Sequence, residues 1–356
     1  MSTPLHIDGS QGEGGGQVLR TSLSLSALTG RPFRIENIRA NRSRPGLRPQ
    51  HLAAVRAVAA LCKAELVGDE IGATVLEFRP ITRPTGGFYE VDVTEANPSG
   101  QSAGAVTLIF EAMLWPLLFA EEPTNLILKG GTFVPFSPPY HYLAETARPA
   151  FQRFGAEFSL TLRKWGWMTA GGGIVEAAIA PIAALQGVDF KPVEDETVAG
   201  VAAVTNLPSH IPHRMARRAH NLIEQMGLKP AVSAVREKGD GPGAGIVLWQ
   251  KQAGSSSLGR RGLPADKVAE AAVADLAAFL DNGTAVDQHL ADQLLIPMAL
   301  AQGKSSLTTG RLTRHTLTNS ALLRQWLDVS IQINGEPGQA AEITIDGVGF
   351  KILSSE

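Results

Sequence analysis

The feature that most constrains this chain is a recurring order of strand and helix signals. Apolar periodicity predicts a strand near Leu5 to Asp8, a helix from about Gln17 to Leu28 closed by Gly30, and a strand near Phe33 to Arg39. A loop rich in Arg and Pro, a helix from about Pro49 to Lys63, and strands near Ala64 to Val67 and Thr74 to Phe78 complete a βαβαββ order. The order returns with a strand near Tyr89 to Val93, a helix from about Ala103 to Phe119 and a strand at Asn125 to Lys129. A helix from about Tyr140 to Phe154 and strands near Glu157 to Leu162 and Ile174 to Ile179 follow. A third copy opens near Gly187 to Phe190 and resumes with a helix from about His289 to Ala301 and a strand at Ser305 to Thr309. It closes with a loop through His315, a helix to Leu327 and two strands. Between its two parts, residues 192–282 read as a smaller αβ unit: a helix near Pro212 to Met226, strands near Ala231 to Val235 and Gly245 to Gln250, a Gly/Ser loop, and a helix near Pro264 to Leu280.

A period of about 90 residues is longer than that of a solenoid. The expected fold is therefore α/β (α+β). Three copies of one subdomain form a large domain from residues 1–191 and 283–356, and residues 192–282 are inserted in the third copy. Copies related by rotation bring equivalent loops together, so the loops near Arg39, Gly130 and Gly310 are expected to meet at one cleft.

Composition serves mainly to exclude. With 44% hydrophobic and 19% charged residues the chain is neither disordered nor collagen-like. Its 32 Lys and Arg against 34 Asp and Glu leave a net charge of -2, so a nucleic-acid partner has to be held by a local basic patch. The single Cys62 permits no internal disulfide, as expected in a reducing compartment. The longest apolar run, Ala105 to Ala120, contains Glu111 and Pro116 and falls short of a membrane span. The polar, Gly-rich start is unlike a signal peptide. A cytoplasmic protein without membrane contact is expected.

Three features carry chemistry. Gly12-Glu13-Gly14-Gly15-Gly16-Gln17 lies between a strand and a helix, where backbone amides can approach a phosphate, although a flexible turn explains it equally well. From Arg20 to Arg56 there are eight arginines, no lysine and one acid, Glu36. Arg without Lys is the choice for bidentate phosphate contacts, and Arg39, Arg42, Arg44 and Arg48 share one Pro/Gly loop. Among the histidines, His6 and His51 read as structural. His210, His213 and His220 lack a carboxylate or cysteine at zinc-ligand spacing. His315 stands in a loop expected at the cleft, which leaves structural and catalytic readings both open.

Taken in order, these motifs resemble a known family. The Gly12 to Gln17 run with Arg20, Ile38 to Arg42, Arg44-Pro45-Gly46-Leu47 through Gln50-His51, Gly130-Gly131-Thr132, His289 to Leu294, and His315 with Thr318-Asn319 are similar to the RNA 3'-terminal phosphate cyclases. The resemblance runs nearly end to end. It implies three units like the C-terminal domain of translation initiation factor 3, plus the insertion. It implies that His315 carries AMP, with Glu13, Arg20, Arg39 and Arg42 at the reaction. Gln17, Gln50, Glu111, Pro138, Tyr142, His289, Asp292 and Gln293 would then bind ATP, and Pro138 and His289 would flank adenine. Glu13 and Asp292 are the implied ligands of Mg2+ or Mn2+. Glu111 departs from the glutamine of many members, and an ionised carboxylate cannot donate to a phosphate.

The implied activity is ATP-dependent conversion of an RNA 3'-phosphate to a 2',3'-cyclic phosphate, by a ligase-type enzyme that is compatible with a homo-oligomer. Two rivals stand beside it. One is a non-catalytic relative acting in ribosomal RNA maturation; such relatives lack the histidine and the Gly-Glu-Gly loop. The other is an enolpyruvyl-transferase-like enzyme, which needs no nucleophilic histidine.

Overall fold

The computed structural model describes residues 3–12, 15–97 and 102–351. The first sheet holds β1 (Leu5–Asp8), β2 (Phe33–Glu36), β3 (Glu65–Val67) and β4 (Leu76–Arg79) in the order β1-β2-β4-β3. Its first pair is parallel and the other two are antiparallel. Helices α1 (Gly16–Thr29) and α2 (Pro49–Cys62) connect these strands. The second sheet, of β5 (Gly87–Asp92), β6 (Thr124–Gly130), β7 (Phe158–Lys164) and β8 (Gly173–Ile179), follows β5-β6-β8-β7 with the same sequence of parallel and antiparallel pairs. Helix α3 (Val106–Leu118) precedes β6. After it come α4 (Tyr140–Tyr142), a wide π turn at Leu143–Ala147 and α5 (Arg148–Arg153).

The third sheet contains β13 (Gln302–Thr309), β14 (Ser330–Gly335) and β15 (Ala341–Val348) in the order β13-β15-β14. The strand expected at Gly187 to Phe190 is reduced to single parallel bridges from Gln186 to Gln302 and from Asp189 to Ser306. The helix expected from His289 to Ala301 is two short ones, α8 (Gln288–Gln293) and α9 (Leu295–Leu300). His315 is not in a loop. It is the second residue of α10 (Arg314–Trp326), because Thr313 caps that helix by accepting a hydrogen bond from the Thr316 N–H, 3.0 Å.

The segment read as an insertion forms a sheet of β9 (Thr197–Thr205), β10 (Lys229–Glu237), β11 (Gly243–Gln250) and β12 (Ala253–Leu258), ordered β10-β9-β11-β12 and backed by α6 (His210–Gln225) and α7 (Ala265–Leu280). Val198, Met215, Ile246, Leu248 and Val268 belong to a hydrophobic cluster separate from the main one. Strands β9 and β12 were not expected. Ala253-Gly254-Ser255-Ser256-Ser257 reads as a flexible loop, but small residues are required there. A Cβ on Gly254 would stand 2.7 Å from the Tyr142 ring, and the Ser255 hydroxyl donates to the Ala272 carbonyl at 2.7 Å.

Helix α1 lies at the centre, packed on α2, α3 and α10. Leu19, Leu23 and Leu25 supply apolar contact, while its buried Ser and Thr side chains keep the helix narrow and satisfy their own hydroxyls. Ser24 donates to the Ala112 carbonyl of α3 at 2.7 Å, and Thr21 donates to Asn319 Oδ1 of α10 at 2.9 Å. A second junction is Asp287, 5% exposed, which accepts from four donors. These are the Tyr142 hydroxyl, 2.9 Å from both carboxylate oxygens, Gly254 N–H at 2.9 Å, His289 N–H at 2.7 Å and Leu290 N–H at 2.9 Å. One carboxylate thus joins α4, β12 and the start of α8.

Hydrogen bonds to a charged group contribute about 1.5–3 kcal/mol each. Tyr142→Phe should lower unfolding free energy by about that amount in urea denaturation, and Asp287→Ala by more, since it orphans several buried donors at once. Equal stability of both variants and the parent would contradict this junction.

Candidate active site

Gln17, in the first turn of α1, holds two catalytic candidates with one amide. Its Nε2 donates to Asp292 Oδ2 at 2.7 Å, so its Oε1 faces the His315 ring, 2.6 Å from Nδ1. A carbonyl oxygen can only accept, which puts the hydrogen on Nδ1 and the ring's lone pair on Nε2. His315 thereby has the tautomer of a nitrogen nucleophile, set by a residue from the opposite end of the sequence.

Asp292, the penultimate residue of α8, lies beside Arg20 and Glu111. Burial pushes its carboxyl above the usual range, opposed by the Gln17 hydrogen bond and by His315, His289 and Arg20. Burial also pushes Glu111 up to about 7, with Arg20 pulling down and Asp292 pushing further up. The Arg20 guanidinium is lowered by the same desolvation and held up by the two carboxyls. Gln293 donates from Nε2 to Glu111 Oε1 at 2.9 Å. Asp292 Oδ1 and Gln293 Oε1 are buried acceptors without a hydrogen-bond partner among the described residues. An oxygen of this kind suits a hard divalent cation that takes most of its other ligands from phosphates and water, so Asp292 fits the expected metal. Glu13, the other expected ligand, lies outside the described residues. No cluster of three His, Cys, Asp or Glu that could hold a metal ion exists among the described residues.

The arginine loop approaches from the α2 side. A Cβ on Gly16 would stand 2.4 Å from His51 Nε2 and 2.9 Å from Arg20 Nη1, and one on Gly15 would stand 3.1 Å from Arg42 Nη2. Gly15 and Gly16 are therefore needed for close approach of side chains. Arg39 has φ 56, and its Nη1 donates to the carbonyls of Arg44 at 2.7 Å and Gly46 at 3.0 Å. Part of this guanidinium shapes its own loop. His51, read as structural, is buried and accepts from the Arg48 N–H at 3.2 Å. Burial, reinforced by Arg20, Arg39 and Arg48, holds its pKa far below the ordinary range, so it adds no charge to the cluster.

These contacts bring four helix N-termini together. Gln17 and His315 join the starts of α1 and α10, His51 sets the start of α2 against Gly16, and Gln50 Oε1 accepts from the Ala105 N–H at the start of α3, 3.3 Å. Each such end carries roughly half a positive charge and free N–H donors, a setting that favours polyphosphate.

Of the residues expected to bind ATP, Pro138, His289 and Tyr142 are placed differently from one another. His289 is exposed on α8, and Pro138 is half-buried with its carbonyl accepting from Thr107 Oγ1 at 2.8 Å. Tyr142 is 3% exposed and its hydroxyl is bound to Asp287, so it supports the α8 platform from behind. Asp287 escaped sequence reasoning; the available signal was its place just before a helix, where Asp is a favoured cap.

Glu111 generates a test. Its folded-state pKa is raised above the ordinary carboxyl value of about 4.5, so its contribution to stability is fully present below about 4.5 and is lost as pH rises through about 7. Glu111→Gln removes that loss. The variant should match the parent near pH 4 and exceed it by at most about 3 kcal/mol near pH 8. Parallel stability curves across this range would exclude a buried carboxyl of this kind.

The model of the family described as RNA 3'-terminal phosphate cyclase matches residues 11–333. A relative of that name from Nostoc punctiforme is 46% identical over 335 residues, covering 93% of this chain and 96% of the relative. Another from Methylococcus capsulatus is 44% identical over 326 residues, covering 89% and 90%. A third from Methanopyrus kandleri is 39% identical over 355 residues, covering 96% and 98%. Since the similarity takes in the glycine run, the arginine loop, the insertion and the His315 helix, this chain belongs to the RNA 3'-terminal phosphate cyclase family.

Proposed function

We propose that this chain uses ATP to convert an RNA 3'-terminal phosphate to a 2',3'-cyclic phosphate, through AMP carried on His315 and then on the RNA. The observation that carries this reading is the His315–Gln17–Asp292 chain, which fixes the ring with its hydrogen on Nδ1 and its lone pair on Nε2. That lone pair attacks the α-phosphorus of ATP; a P–N bond forms and pyrophosphate leaves. An oxygen of the RNA 3'-phosphate next attacks the same phosphorus, the P–N bond breaks, and AMP is joined to the RNA by an anhydride. The 2'-OH then attacks the terminal 3'-phosphorus, its proton is lost, and AMP departs with the bonding electrons. A phosphate oxygen is otherwise a hopeless leaving group; adenylation converts it to a good one. The last attack is intramolecular and gains the corresponding advantage.

In this reading Arg20, Arg39 and Arg42 stabilise charge on the phosphoryl oxygens, helped by the converging helix ends. Gln17 orients the imidazole, Gln50 ties the starts of α2 and α3, and Glu111 with Gln293 lines the recess. Pro138 and His289 flank adenine. A Mg2+ or Mn2+ ion, held by Asp292 and Glu13, would withdraw charge from the nucleotide phosphates. Three units like the C-terminal domain of translation initiation factor 3 make up the catalytic domain, from residues 1–191 and 283–356, and 192–282 is the inserted domain. The enzyme acts in RNA processing in the cytoplasm; no helix among the described residues is long and apolar enough to cross a membrane.

Incubation with ATP labelled in its α-phosphate should leave acid-labile, base-stable label on the parent and none on His315→Ala. Gln17→Ala should be labelled about tenfold more slowly or worse, as expected for loss of one orienting hydrogen bond of ~1.4 kcal/mol. Undiminished label on His315→Ala would refute the carrier.

A further inference from the structure

The loop between β6 and α4 contains an oddity that the chemistry above does not use. Phe136 is 103% exposed relative to a free side chain, and its backbone sits at φ 64, a region that bulky residues seldom occupy. The loop around it is nonetheless stiff. Pro135, Pro138 and Pro139 limit its backbone, Ser137 Oγ donates to the Val134 carbonyl at 3.0 Å, and Tyr140 N–H donates to Thr132 O at 2.9 Å. Phe133 is stacked on Trp167 with ring centroids 5.0 Å apart. The loop is also bound to the recess: Pro138 accepts from Thr107, one helical turn before Glu111 on α3. A rigid, strained, fully solvated ring at the rim of a catalytic recess is an outlier that points to a ligand.

We propose that Phe136 is a stacking platform for a base at the 3' end of the RNA substrate. One isolated ring beside proline and serine is too small for a protein interface, which needs hundreds of Å2 on each partner. It matches a nucleobase, every one of which offers a π face. Arginine contacts hold the terminal phosphate but grip no base, so a ring at the rim supplies the missing contact. Phe136 lies two residues before Pro138, the residue assigned to adenine, and this leaves the RNA base as the partner for the outer ring. The inference rests on the proposed function for the identity of the nucleic acid.

The test uses the full chain and a short RNA with a 3'-phosphate and 2-aminopurine as its terminal base, whose fluorescence falls on stacking. The parent should bind it with quenching. Phe136→Ala should bind about 5- to 150-fold more weakly, the range for one stacked base, and lose the quenching. Phe136→Trp should keep both, and Phe88→Ala, at an exposed ring on β5, should change nothing. An RNA with an abasic end should bind parent and Phe136→Ala alike. The proposal is overturned by normal binding and quenching in Phe136→Ala, by full retention in Phe136→Leu, or by a loss confined to ATP binding. The readout needs no turnover: quenching that depends on Phe136 in a chain that never becomes labelled from ATP supports the platform and sinks the adenylation chemistry alone.

Discussion

The structure depends on holding four positive helix ends against one another. The starts of α1, α2, α3 and α10 repel, and Arg20, Arg39, Arg42 and Arg48 beside them add to that repulsion. Apolar packing around Leu19, Leu23 and Leu25 supplies most of the opposing attraction, and directional polar bonds fix the geometry. Ser24 to Ala112, Thr21 to Asn319 and Ala105 to Gln50 each cross from one helix to another. The recess is therefore a place of concentrated like charge enclosed by a well-packed scaffold, a setting that favours an anion.

Charge in the recess is moderated without being cancelled. His51 is kept neutral by its burial and by the surrounding arginines, so the arginine cluster does not gain another cation. Glu111 and Asp292 oppose Arg20, yet both carboxyls are themselves pushed towards the protonated form by burial. The balance can thus move with pH and with ligand charge. Glutamate at position 111 is tolerable for that reason: protonated, it regains the donor that a carboxylate lacks.

Much of this was legible in the sequence because apolar periodicity and turn residues act locally. The helices beside the first two sheets and the succession of strands along the chain follow from such patterns, as does the arginine loop between β2 and α2. Chemistry made by distant residues was less legible. Nothing local in Thr313-Arg314-His315 tells that Gln17 will orient the ring, and the threonine cap that turns an apparent loop into a helix start is visible only once the strand before it ends. Strand β12 was lost because serine and glycine signal turns in isolation, whereas beside Tyr142 and α7 they are the residues small enough to fit. Nor does anything local to Tyr142 tell that the carboxylate of Asp287 will accept from its hydroxyl.

That carboxylate also determines what kind of appendage the segment from β9 to α7 is. Strand β12 supplies a backbone donor to the same Asp287 that starts the helix bearing His289 and Asp292. An ornament hung from two linkers could be trimmed away, leaving its host intact. Here, excision would strip a strut from beneath the catalytic platform, so shortening the chain to a minimal three-sheet enzyme would require a new partner for that buried charge.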